Sequence, residues 1–362
     1  MSRIAIVTSH VTTGASVSSD VLGMHRVLEN QGYESRVYAE SWDLSEPRIW
    51  SISEIGEFLT GPNDILLYHH SIGWEPGLQI LGNSNCKTVV KYHNITPAEF
   101  FAGFSQWHEE KCREGRQQFK LIAPNICDLY LCDSEYNRRE LLLEGYRGSN
   151  SFVVPPFHNI DAWDYLDADL TTLDKYRDGR TNIVSVSRVA PHKGHRELIE
   201  AFAIYHHEYN PDSRLLIIGR EEPAFATYSA ELRDLSRFLL LGDAVVFAGE
   251  VSDAALKAVY LVANAFAFAS EHEGFCVPLV EAMAMKVPVI TYASTAIPET
   301  AGEAAIVLHD RDSALMAESI NLVVQDEATN VALGMAGRRR YEEFFTNEKI
   351  AARLLKVLVT LN

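Results

Sequence analysis

The segment SEHEGFCVPLVEAMAMKVPVI, from Ser270 to Ile290, lies between two short apolar runs, Ala265–Ala269 and Val289–Thr291, that read as strands. Pro278 suits the first turn of a helix, because its fixed φ and missing N–H cost nothing there. Strand, loop, helix and strand in that order form a βαβ unit, the building block of a parallel sheet. Glu273 then lies in the loop, with Glu281 about one turn inside the helix. The free backbone N–H groups of Gly274 to Leu279 offer a place for anionic phosphate, while a carboxylate accepts hydrogen bonds from vicinal hydroxyls. A sugar diphosphate presents both groups. Two glutamates taken alone more often just favour a helix dipole, so their context decides the reading.

Outward from this segment, strands are expected near Ile183–Val186, Leu215–Ile218, Val245–Phe247 and Ile306–Leu308 in the second half. In the first half they fall near Ile4–Val7, Ile65–Leu67, Val89–Tyr92, Leu129–Leu131 and Phe152–Val154. Helical patterns separate them, and two parallel sheets fit this alternation better than one. Pro155-Pro156 ends a strand, and the acidic stretch from Asp164 to Asn182 reads as a linker. After the last strand a long helical pattern runs from Asp312. The expected domains are residues 1–175, 176–345 and a terminal helix, 346–362, that returns to the first domain and is announced by the cap signal Thr346-Asn347.

A chain of 362 residues exceeds what one core usually organises, and 47% apolar with 22% charged residues is a globular balance. A formal charge of -17 argues against nonspecific nucleic-acid binding. The five cysteines include no CxxC pair and point to a reducing, cytoplasmic compartment. No apolar run approaches the roughly 18 residues of a membrane span.

The segment EGFCVPLVEAMAMKVPVI, with VSRVAPHKGHRELIEAF from Val186 to Phe202, LLIIGR from Leu215 to Arg220 and VVFAGEVSDAALKAVYLVANAF from Val245 to Phe266, resembles the retaining glycosyltransferases of family 4. The resemblance implies a GT-B fold, two facing Rossmann-like domains with a cleft between them. It also implies that Glu281 binds the ribose of a UDP- or GDP-linked donor, and that Glu273 with the backbone of Gly274, Phe275, Cys276 and Val277 holds the donor sugar. Cys276 stands where the family often has Gly.

Arg188 follows an expected strand and Lys193 precedes a helix. Two fixed cations can neutralise a departing diphosphate, a service that Mg²⁺ otherwise supplies; the family's matching Arg and Lys do so. No catalytic metal and no cofactor is therefore expected. The two D-x-D matches, Asp167–Asp169 and Asp310–Asp312, sit in the presumed linker and in a strand-to-helix connection, where Asp serves as a cap.

In the first half, Thr12-Thr13-Gly14-Ala15 is a small-residue turn that lets a backbone approach phosphate, although the family often has a second Gly where this chain has Ala15. VVKYHNITPAEFF places His93 directly after a strand and is similar to the HN-x-TP stretch of bacterial members, which puts His93 at the reaction centre. For His10, His69 and His70 a structural role is preferred. Phe100, Phe101, Phe104 and Trp107 precede Lys111, Arg113, Arg116 and Lys120. Aromatic anchoring in the domain core is the preferred reading, and peripheral contact with the inner membrane face is the alternative. Ser134 caps the helix that carries Glu135, Asn137 and Arg138.

The expected reaction is retaining transfer of a hexosyl group from a nucleotide diphosphate sugar to a saccharide or lipid-linked saccharide, as in O-antigen or capsule assembly. Its catalytic set is His93, Arg188, Lys193 and Glu273. A nucleotide-sugar epimerase and a noncatalytic sugar-nucleotide-binding protein are the rivals, and oligomeric state is not legible.

Overall fold

The computed structural model describes residues 3–124 and 126–361. The chain divides into two compact units. Unit 1 comprises Met1–Glu99, Trp107–Asn159 and Thr346–Asn362, and unit 2 comprises Phe100–Gln106 and Ile160–Phe345.

In unit 1 the strands are β1 (Arg3–Val11), β2 (Glu34–Trp42), β3 (Ile49–Ser51), β4 (Ile65–His70), β5 (Lys87–Tyr92), β6 (Leu129–Cys132) and β7 (Ser151–Val153). They form one sheet in the order β3-β2-β1-β4-β5-β6-β7 with every pair parallel. Unit 2 holds β8 (Thr181–Val186), β9 (Ser213–Ile218), β10 (Val245–Gly249), β11 (Ala265–Phe268), β12 (Val289–Tyr292) and β13 (Ile306–Leu308), in the order β10-β9-β8-β11-β12-β13, again parallel throughout. Near-continuous burial along β4, β9, β11 and β12 is what a sheet covered on both faces requires.

Strand order reverses between β1 and β4 in unit 1 and between β8 and β11 in unit 2. In doubly wound sheets the loops leaving such strands go to opposite faces, and ligands bind in the crevice outside those strand ends. Gly14 follows β1, Arg188 and Lys193 follow β8, and Glu273 follows β11.

Three expectations change. Unit 2 begins at Ile160 rather than near residue 176, and the presumed linker contains the helix Leu170–Tyr176. Asp169 caps that helix by accepting a 2.8 Å bond from Thr172 N–H, while Trp163, Leu166 and Tyr176 join the unit 2 core. The long pattern after Asp312 is two helices, Ser313–Gln325 and Glu327–Phe344, capped by Asp312 and Asp326. Asp169 and Asp312, one from each D-x-D, thus serve as helix caps.

The helix Asn347–Leu358 starts at Thr346, whose side chain accepts from Lys349 N–H. Its Ile350, Leu354, Val357 and Leu358 enter the same core as Met24 and Leu28 of the helix Ser16–Asn30. No helix among the described residues is long and apolar enough to cross a membrane.

Candidate functional site

In unit 2 two loops are drawn together by glycine. Gly194 has φ +65, and a Cβ there would stand 2.0 Å from the Ala269 carbonyl oxygen. Gly219, at φ +141, comes equally close to the Ser187 carbonyl. Side chains at either position would push the loop after β8 away from its neighbours.

That close approach is stitched by hydrogen bonds. The His192 carbonyl accepts from Glu271 N–H at 2.8 Å and from Ser270 Oγ at 3.1 Å. Thr295 Oγ1 accepts from Glu273 N–H and donates to the Glu273 carbonyl, both at 2.7 Å. On this frame Lys193 Nζ lies 2.6 Å from Glu273 Oε1, with the two side chains 14% and 10% exposed. An ion pair this enclosed still borders solvent, so an entering anion can compete with Glu273 for the ammonium.

Arg188 is placed differently. It remains 53% exposed and pairs with Glu222 Oε1 at 2.6 Å. Glu222 escaped the sequence reading; the run Arg220-Glu221-Glu222 after β9 is the signal that marks it.

The helix Val277–Ala284 opens with Pro278 in its first turn, as expected. Its N-cap residue is Cys276, with φ +78 and ψ +72. This left-handed conformation is the physical reason a glycine suits the position. Burial pushes the Cys276 thiol well above its usual pKa, so the sulfur is a packed group and not a nucleophile. Glu281 accepts a 2.9 Å hydrogen bond from Tyr260 OH. Part of the residue reaches solvent, yet its carboxyl is enclosed, and burial lifts its pKa to about 7 against the lowering effect of the Tyr260 bond.

Unit 1 carries the other expected residues. Gly14 has φ +75, and its turn is held by Thr13 N–H donating to Asp43 Oδ1 and Thr12 N–H donating to Ser18 Oγ, each at 2.9 Å. The resemblance puts His93 beside a donor sugar, but its side chain is only 5% exposed. Its Nδ1 lies 3.1 Å from Asp133 Oδ2 and its Nε2 lies 2.8 Å from His69 Nδ1, so neither nitrogen is free. The next residue, Asn94, adopts φ +54 and donates to Asn137 Oδ1 at 2.8 Å.

Beneath it lies a buried ionic cluster. Lys91 Nζ is 2.7 Å from Asp133 Oδ1 and 3.9 Å from Asp20 Oδ2. Burial pushes Asp133 up, but Lys91 and His93 outweigh it and hold its carboxyl below the usual range. For Asp20 burial wins and the pKa rises. Asp20, His69 and His93 lie within metal-ligand reach of one another. His69 and His93 bond each other directly, whereas Asp20 Oδ2, 3.6 Å from His93 Nε2 and 3.9 Å from Lys91 Nζ, and His69 Nε2 are buried without a hydrogen-bond partner among the described residues. His10 and His70 are structural, bonding Ser41 Oγ at 2.7 Å and the Gly115 carbonyl at 3.0 Å.

A groove of about 730 Å³, lined by Ile52, Leu59, Pro76, Ile80 and Cys86, lies where the chain enters β4 and β5. Ligands of such sheets bind at the opposite strand ends, so this volume is set aside as a candidate donor site.

Comparison with known proteins agrees with the motif reading. Residues 175–340 match the family described as Glycosyl transferases group 1. The chain is 33% identical over 168 residues to the capsular polysaccharide biosynthesis glycosyltransferase CapM of Staphylococcus aureus, covering 46% of this chain and 42% of that protein. It thus spans less than half the length of this relative. Among solved structures, sucrose-phosphate synthase from Thermosynechococcus elongatus superposes with a TM-score of 0.79 at 19% identity, over 100% of this chain and 99% of that one. Anabaena HepE in complex with UDP-glucose gives 0.79 at 15% identity, over 99% and 100%. Both likenesses establish the fold, two parallel-sheet Rossmann-like domains of the GT-B type.

Proposed function

Because residues 175–340 match the group 1 glycosyl transferases, we propose that this chain transfers a hexosyl group from a nucleotide diphosphate sugar to a saccharide or lipid-linked saccharide hydroxyl with retention of configuration. The observation that carries the proposal is the Lys193–Glu273 pair, 2.6 Å apart on loops that leave the two strands flanking the strand-order reversal. The donor diphosphate takes Lys193 from Glu273 and recruits Arg188 from Glu222, which frees Glu273 for sugar hydroxyls. The amides of Gly274 to Val277 face the same groups, and Glu281 receives the ribose hydroxyls in place of Tyr260 OH. The bond from the anomeric carbon to the phosphate oxygen breaks as the acceptor oxygen bonds the same face, and the acceptor proton passes to the departing phosphate. Arg188 and Lys193 stabilise the charge that grows on that leaving group.

Gly14 and His93 lie in unit 1, and their roles toward the donor rest on the family resemblance alone. UDP is the first base to test, since the HepE neighbour is described with UDP-glucose. The role of the CapM relative favours assembly of a surface polysaccharide. Neither of these two is described as an epimerase, which favours transfer over epimerisation.

Thermal shifts with UDP- and GDP-sugars find the donor, because a ligand of the folded state raises apparent stability. Incubation of that donor with and without saccharide acceptors, in excess chelator, then tests the reaction. The expected product is a new α-linked glycoside formed only with acceptor if the donor is α-linked. An inverted product, free sugar alone, or activity that returns only with Mg²⁺ or Mn²⁺ would refute the mechanism.

A further inference from the structure

The chain leaves unit 1 after Glu99, contributes Phe100–Gln106 to unit 2, and re-enters unit 1 at Trp107. Three phenylalanines of this excursion pack on unit 2 side chains. The Phe101 ring is 3% exposed and stacks on Phe225, with centroids 5.7 Å apart and planes at 15°. It also meets His192 edge-on at 5.5 Å. Phe100 lies 6.3 Å from both His192 and His272. Phe104 stands at 78° to Tyr228, 5.5 Å away.

The neighbours of these contacts give them meaning. His192 precedes Lys193, and His272 precedes Glu273. Phe225 closes the turn whose cap residue is Glu222, the partner of Arg188, and its N–H bonds the Glu222 carbonyl at 2.9 Å. Lys193 ends a single 3-10 turn, Pro191–Lys193, and Glu273 lies in a loop, so their placement depends on what immobilises those short segments. His192 is the peg: its carbonyl ties the two loops together, and its ring is enclosed by Phe100 and Phe101. One aromatic pair thus packs against a residue beside each of Lys193, Glu273 and the Arg188–Glu222 turn.

We propose that Phe100 and Phe101 are positioning residues for the diphosphate-binding side chains, a wedge that fixes where Lys193, Glu273 and Arg188 meet a phosphate. This rests on the reading of those three as the donor site. Phe104 buttresses the helix Ala226–Phe238 through Tyr228, and its ring contact is with Tyr228 rather than with His192 or His272.

Titration calorimetry with UDP and UMP, and with GDP and GMP, measures how strongly the protein prefers a diphosphate to a monophosphate. For the base that binds, the double variant Phe100→Leu/Phe101→Leu is expected to lower that preference roughly tenfold, the worth of one charge-assisted contact, with monophosphate affinity unchanged. Phe100→Leu alone, at a half-buried ring, is expected to lower it in part, and Phe104→Leu to leave it intact. If the double variant fails to melt cooperatively, the two single variants decide. Equal effects of Phe100→Leu and Phe104→Leu, or a folded double variant with the wild-type preference, overturn the wedge. Lys193→Ala serves as the control on the underlying reading. A wild type without diphosphate preference, or a Lys193→Ala protein that keeps it, refutes the donor-site assignment itself, whereas loss in Lys193→Ala with no loss in the phenylalanine variants refutes the wedge alone.

Discussion

Glu281 carries two demands that pull against each other, since a buried carboxyl is more stable protonated while a carboxylate accepts more hydroxyl bonds. Its folded pKa of about 7 lies above the ordinary 4.5, so below pH 4.5 both folded and unfolded states hold the proton and no penalty exists. As pH rises the unfolded chain ionises first, and above 7 the folded state bears the full cost of a buried charge. Glu281→Gln should therefore raise stability at pH 8 by about 1–2 kcal/mol, discounted because part of the residue reaches solvent, and leave it unchanged at pH 4. Urea unfolding at both pH values checks this, and a gain equal at both would refute it. Cys276 gives a second test at the same helix end. Cys276→Val forces a β-branched residue to positive φ and should cost about 2–3 kcal/mol, whereas Cys276→Gly trades relieved strain against lost packing and should stay within about 1 kcal/mol. Thermal melts that rank the two variants the other way would contradict the strain argument. Residue identities were legible in the sequence here because each motif lies within a few positions. The Lys193–Glu273 pairing spans 80 residues and the enclosure of His93 depends on three separate strand ends, so both needed the fold.

Eleven strands were readable from apolar runs, and the two that were not, β2 and β3, show why. β2 carries Arg36 and Glu40 and is exposed over its last three residues, while β3 is a three-residue edge strand; neither makes an apolar run. The helix Leu170–Tyr176 was hidden for a related reason, since its acidic flanks resemble a linker and only Leu173 and Tyr176 are buried along it. Caps were clearer, because they act within one turn. Ser134 accepts from Asn137 N–H and bonds Asn137 Oδ1 at 3.1 Å, joining the helix Glu135–Leu143 to the turn at Asn94. Ser134→Ala should lower stability by about 1–2 kcal/mol in urea unfolding, and a loss below a few tenths would show that the helix is held by other contacts. The aromatic segment before the helix Gln106–Ile122 belongs to this scale too. Packing accounts for Phe100, Phe101 and Phe104, which leaves Trp107, 51% exposed, as the ring a lipid surface would meet.

At the scale of the molecule, the two sheets followed from alternation of strand and helix patterns, and the terminal helix from its cap signal. The excursion of Phe100–Gln106 into unit 2 had no such signature, because a short aromatic run looks the same whichever core receives it. That excursion bears on recombination. A graft of residues 160–345 from a relative would bring foreign loops against the resident phenylalanines, and a graft of the first half would bring foreign phenylalanines against the resident loops. A working chimaera of this chain takes residues 100–106 from the same parent as residues 160–345, so the inheritable module is discontinuous, and a single crossover delivers it only with residues 107–159 carried along.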